Sequence, residues 1–153
     1  MGDLSWVWLG LAAAVGAAAV AILGRLGLGN VDPTLATTLR ALVMAGVLVV
    51  VSLSTGSLGA LVRGETSLDP RAWTFVLLAG LCGAGSWLAY FAALRIAPAA
   101  PVSALDRLSL PLVFVIGIFA LGERPGALGW AGLGLVVLGT YLIVADPLSR
   151  PAG

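Results

Sequence analysis

The sequence predicts an all-α integral membrane protein: a single transmembrane domain covering residues 1–153 and built as a bundle of five transmembrane helices. Composition comes first, because 60% of the residues are hydrophobic and 10% are charged, far from the roughly 25% charged of an ordinary soluble domain. Segment length comes second. Several stretches without charge reach the roughly 20 helical residues that cross a hydrocarbon core of about 30 Å. Helix rather than sheet follows because each lipid-exposed segment must satisfy its own backbone donors and acceptors.

The spans are expected at about 4–24, 34–54, 72–95, 99–121 and 125–145. The first could pass for a signal peptide, but "MGDLSWVW" carries an acid where a basic n-region belongs, and the apolar run behind it has full membrane length, so it reads as a retained span. Trp6 occupies the position where the myristoylation pattern needs serine or threonine. The second and third spans open on "VDPTLATTLR" and "SLDPRAW", each with aspartate at the N-cap and proline at the first helical position. Between them "STGSLGALVRGETSLDP" reads as a flexible surface connection, rich in glycine, serine and threonine.

The fourth span needs more argument. Leu108 to Gly122, free of charge, covers about 22 Å at 1.5 Å per residue and is too short to cross. Either this segment is re-entrant, or, starting at Ala99 after Pro98, it is long enough to span and places Asp106 and Arg107 inside, roughly 10 Å below the surface; the absence of a polar or glycine-rich run favours the span. The fifth span follows the "LGERPG" turn.

With the N-terminal side called side A, Trp6, Trp8, Trp73 and Trp130 fall near side A ends and Tyr141 toward side B, as interfacial aromatics do, whereas Trp87 is mid-span. Small residues recur at four-residue spacing (Ala13, Ala17 and Ala21; Gly85, Ala89 and Ala93; Ala127 and Ala131), a pattern of close helix packing.

The membrane charges are the candidate functional residues. Arg40 lies about 9 Å along span two from side B, and Asp106 about 10 Å along span four from the same side, which makes Arg40 the expected partner of Asp106. Asp106 and Arg107 are about 100° apart around a helix and cannot face one partner together. A charge at this depth costs a few kcal/mol and usually faces a cavity or a partner, although a long arginine can also snorkel to the headgroups. Pro111 is expected to kink span four, leaving the Arg107 carbonyl as a free acceptor beside the charged pair. Trp87 and Tyr90, three residues apart on one helical face, complete the candidate solute site of Arg40, Asp106, Arg107, Trp87 and Tyr90. Two arginines against one aspartate make it net positive, which favours a solute bearing a carboxylate.

Several functions are excluded. A net charge of +1 offers no basic surface for nucleic acid. Cys82 is the only cysteine and histidine is absent, so neither a metal site nor a cofactor is expected. An enzyme is not expected either: Ser86, Ser103 and Ser109 have no histidine or lysine to activate them.

The run "LAGLCGAGSWLAYFAALRIAPAAPVSALDRLSLPLVFVIGIFALGERPGALGWAGLGLVVLG" resembles the EamA unit of the drug/metabolite transporter superfamily. The likeness rests on the small-residue-rich third span ending in Tyr90, Phe91, Ala92, Ala93 and Leu94, on the Ala-Pro loop, and on Leu121, Gly122, Glu123 and Arg124 before the last span. The resemblance implies a secondary transporter, or half-transporter, of small organic solutes or metabolites in a cell membrane, the bacterial inner membrane in particular. Family members typically carry two inverted five-helix units, so a single unit implies an antiparallel homodimer or a heteromeric partner supplying the other half. Small multidrug-resistance proteins are similar in outline, but the first span here has no membrane glutamate, which argues against proton-coupled efflux of cationic drugs. The competing class is a non-transporting scaffold or accessory subunit. Arg63, Arg71 and Arg124 flank the spans on side A and Arg25, Arg95 and Arg150 on side B, so the charge count that usually orients a chain is balanced.

Overall fold

A computed structural model of the chain describes residues 5–29, 31–65 and 69–146. Leu4, where the first span is expected to begin, Arg150 and part of the long connection lie outside the described residues. The described elements are α1 (Ser5–Leu28), α2 (Pro33–Ser54), α3 (Ser57–Val62), α4 (Pro70–Ile96), α5 (Ala99–Asp106), α6 (Ser109–Leu121) and α7 (Ala127–Ala145). Among the described residues, five helical stretches are long and apolar enough to cross a membrane: α1, α2, α4, α7 and the 23-residue Ala99–Leu121 stretch made of α5 and α6. Large apolar side chains are open around these helices, with Phe119 at 85% and Leu128 at 89% exposure. Such surface calls for lipid rather than water.

Local chemistry sets the helix ends. The Asp32 side chain accepts from the backbone N–H of Thr34 (2.9 Å) and Leu35 (3.1 Å), with Pro33 in the first turn where its missing donor costs nothing. Asp69 precedes Pro70 in the same way, its carbonyl accepting from the Trp73 N–H at 3.0 Å. Polar residues inside the spans satisfy themselves one turn back: Thr37 and Thr38 donate to the carbonyls of Pro33 and Thr34, and Thr74 donates to that of Pro70.

The described part of the connection after α2 carries a short helix where its composition suggests a flexible loop. Leu58 and Leu61 are half-buried in α3, which packs on α2, because they supply an apolar pair one turn apart. Gly64, with φ of 72°, then ends α3: its N–H bonds to the Leu61 carbonyl and that of Glu65 to the Ala60 carbonyl, the paired bonds of a Schellman motif. The exposed Arg63–Glu65 ion pair beside it, at 2.8 Å, adds little.

The chain forms two compact units: α2, α3 and α4 as far as Ala92 in one, and α1 with the described residues from Ala93 onward in the other. In the second unit α5 packs against both α1 and α7, and Pro101, Val102 and Ala104 of α5 are buried. Ala17, Val20, Ala21, Gly24 and Leu28 form the packed stripe of α1. The α6–α7 turn closes on Gly122, whose φ of 69° lets the N–H of Glu123 reach back to the Gly117 carbonyl at 3.1 Å. Phe114 then meets Trp130 edge to face at 5.1 Å and lies so near Gly129 that an added Cβ would touch its ring at 3.4 Å.

Candidate functional site

Arg40 sits seven residues after Pro33, about 10 Å into α2. Facing it in the same unit, Trp87, Tyr90 and Phe91 occupy positions i, i+3 and i+4 of α4 and therefore share one face. Their rings form a mutually touching trio, with centroids 5.4 Å apart for Trp87–Tyr90, 5.9 Å for Trp87–Phe91 and 6.1 Å for Tyr90–Phe91. Against this trio the Arg40 Cζ lies 3.5 Å from the Trp87 ring centroid and 5.7 Å from that of Phe91. A separation of 3.5 Å is van der Waals contact, so the guanidinium carbon sits directly against the indole face as a cation–π pair. A guanidinium carries five N–H donors in a fork that matches a carboxylate.

The stack also decides where the charge lies in depth. Trp87 is nine residues before Ile96, the end of α4, and so about 13 Å from that end, while Arg40 is about 10 Å from the start of α2. A guanidinium held over Trp87 is therefore set against an interior turn of α4 and not against its end. Phe91 is the member of this cluster that the sequence reading leaves out of the site; its i+4 spacing from Trp87 was the available signal. It is also the most enclosed of the three rings, at 4% exposure.

Asp106 and Arg107 belong to the other unit and mark a break in the fourth span. Helix α5 stops at Asp106 and α6 resumes at Ser109. Through the gap the bonds tighten to three-residue steps: Arg107 N–H to the Ala104 carbonyl (3.1 Å), Leu108 N–H to that of Leu105 (3.0 Å) and Leu110 N–H to that of Arg107 (3.0 Å). The Arg107 carbonyl is thus not the free acceptor expected from Pro111, because Leu110 takes it. Pro111 falls in the first turn of α6, where a missing donor leaves no helical bond unmade. Both charged side chains are exposed on this unit.

A residue with no sequence signal secures the break. Thr140 of α7, 6% exposed, donates from Oγ1 to the Ala104 carbonyl at 3.2 Å, so that this carbonyl serves both the tight turn and a neighbouring helix. A lone threonine among apolar residues looks in sequence like any other small helix residue. Arg25 likewise does more than flank a span. Its Nη1 donates to the carbonyls of Leu94 and Arg95 (3.1 Å to the latter), and so caps the C-terminus of α4 with a cation where the helix dipole favours one. Among the described residues, no three acidic or cysteine side chains are grouped to hold a metal ion.

Comparison with known proteins agrees with this architecture. The sequence profile of the EamA-like transporter family matches residues 4–145. A protein of Sinorhizobium sp described as "Uncharacterized transporter in cobO 3'region" is 32% identical over 139 residues, which cover 91% of this chain and 96% of that relative. No solved structure matches the chain.

Proposed function

Because the chain belongs to the EamA-like transporter family, we propose that it carries small organic solutes bearing a carboxylate across a bacterial inner membrane, using the charges set inside its spans. The observation that carries this reading is the Arg40 guanidinium, held against the face of Trp87 about 10 Å into α2. In a low-dielectric setting an unneutralised guanidinium attracts an anion far more strongly than at an aqueous surface. Trp87 and Tyr90 flank the solute beside Arg40. Asp106 and Arg107, at the α5–α6 break, are the second charged element on the solute's route, and Arg107 adds a second cation there.

Proteoliposomes loaded with radiolabelled amino acids and short-chain carboxylates test the reading, with saturable exchange as the expected result. Asp106→Asn at normal expression is expected to lower that flux about tenfold, the effect of losing roughly 1.4 kcal/mol of interaction. Unchanged flux would remove Asp106 from the mechanism.

We further infer that two copies assemble antiparallel to supply the inverted pair of five-helix units. Support comes from the balanced flanking arginines and from the relative, which is almost fully covered by the same single-unit length. Comparable signal from a cytoplasm-active and an exterior-active reporter fused at the C-terminus is the expected result. Signal from one reporter alone excludes the antiparallel homodimer and leaves a heteromeric partner.

A further inference from the structure

We propose that Arg40 sets the sign of the solute charge by acting as a built-in cation that occupies the face of Trp87 beside Phe91, so that removing it turns the same site into a receptor for quaternary ammonium ions. The inference rests on the transport reading above and names the residue that decides its specificity.

The face of Trp87, with Phe91 beside it and Tyr90 packed edge-on against both, is a place for an organic cation, since an aromatic ring presents a negative π face. In this protein the place is taken from within. The Arg40 Cζ is 3.5 Å from the Trp87 centroid and 5.7 Å from that of Phe91, both inside the roughly 6 Å over which a cation is held by a ring. Being tethered through its own helix, this cation is present at an effective concentration that a dissolved competitor does not match. A second cation would also meet its full repulsion in a medium that screens poorly. An anion meets the reverse situation: the guanidinium rests against Trp87, and its N–H fork is the donor set for two parallel bonds to a carboxylate. One residue thus closes the site to cations and opens it to anions. The rings by themselves would select the opposite charge.

Equilibrium binding of radiolabelled choline to the purified full chain in detergent tests this. Wild-type protein is expected to show no saturable binding. Arg40→Ala is expected to gain saturable choline binding, at least about tenfold tighter than the limit the assay sets for wild type, the size of one desolvated cation–π contact. Arg40→Gln, which keeps more of the side-chain volume, stands in if the alanine variant does not fold. Arg40→Lys should stay as refractory as wild type because its ammonium takes the same place on Trp87, and Trp87→Ala placed on Arg40→Ala should abolish the gained binding. The proposal is overturned if the neutral variants, helical and monodisperse, bind choline no better than wild type, or if the lysine variant binds it as well as they do. Choline binding is read without any transport step, so a failure of carboxylate flux in liposomes counts against the transport reading and the choline titration judges Arg40 separately.

Discussion

Replacing Trp87 with alanine is expected to reduce carboxylate flux in proteoliposomes to near background while the protein still inserts and folds. The indole holds the Arg40 guanidinium at 3.5 Å, and a desolvated contact of this kind is worth about 2 kcal/mol, or roughly thirtyfold in an equilibrium constant. Without it the long side chain is free to turn toward the headgroups, which lowers its cost in the membrane and takes the charge away from the solute. The loss should therefore appear mainly in the substrate concentration at half-maximal flux, since it is the placing of the anion receptor that is weakened. Trp87→Phe retains a ring face and is expected to recover most of the flux. An alanine variant that transports like wild type would show that the stack has no part in binding the solute.

The second large effect is on stability. Arg25→Leu is expected to destabilise the protein by about 2 kcal/mol, through the loss of charge-assisted bonds to the carbonyls of Leu94 and Arg95 at the end of α4. The bond to the Leu94 carbonyl is partly buried and Leu94 is 0% exposed, so water does not readily replace the donor there, whereas the bond to Arg95 is open to it. Leucine keeps the apolar stem and removes only the donor, which separates the bond from the packing. Arg25→Lys restores a cation near the helix C-terminus without the planar fork, and an intermediate stability is expected. Denaturation of the detergent-solubilised protein, followed by helix signal, measures both variants. Equal midpoints for wild type and Arg25→Leu would mean that α4 ends securely without its cap.

The five spans, their α-helical character and the start of α2 were legible in the chain itself because each is a local property. Hydropathy over some 20 residues sets a span, and Asp32 and Pro33 carry a helix start within a single turn. Asp106 and Arg107 could be located as charges inside a span by counting residues from Ala99. Three features required the tertiary structure. Arg40 meets Trp87 only because the fold brings α2 within side-chain reach of α4, and no spacing rule links positions 47 residues apart. Thr140 becomes a donor to the α5–α6 break only because α7 lies against α5. Pro111 alone promised an orphaned carbonyl at Arg107, but the three-residue bonding step through Leu110 reassigns that acceptor. Local sequence dictates which segments enter the membrane and how each begins. The partners of a charge once inside depend on which helices become neighbours, where the high cost of an unpaired polar group makes each interhelical contact decisive.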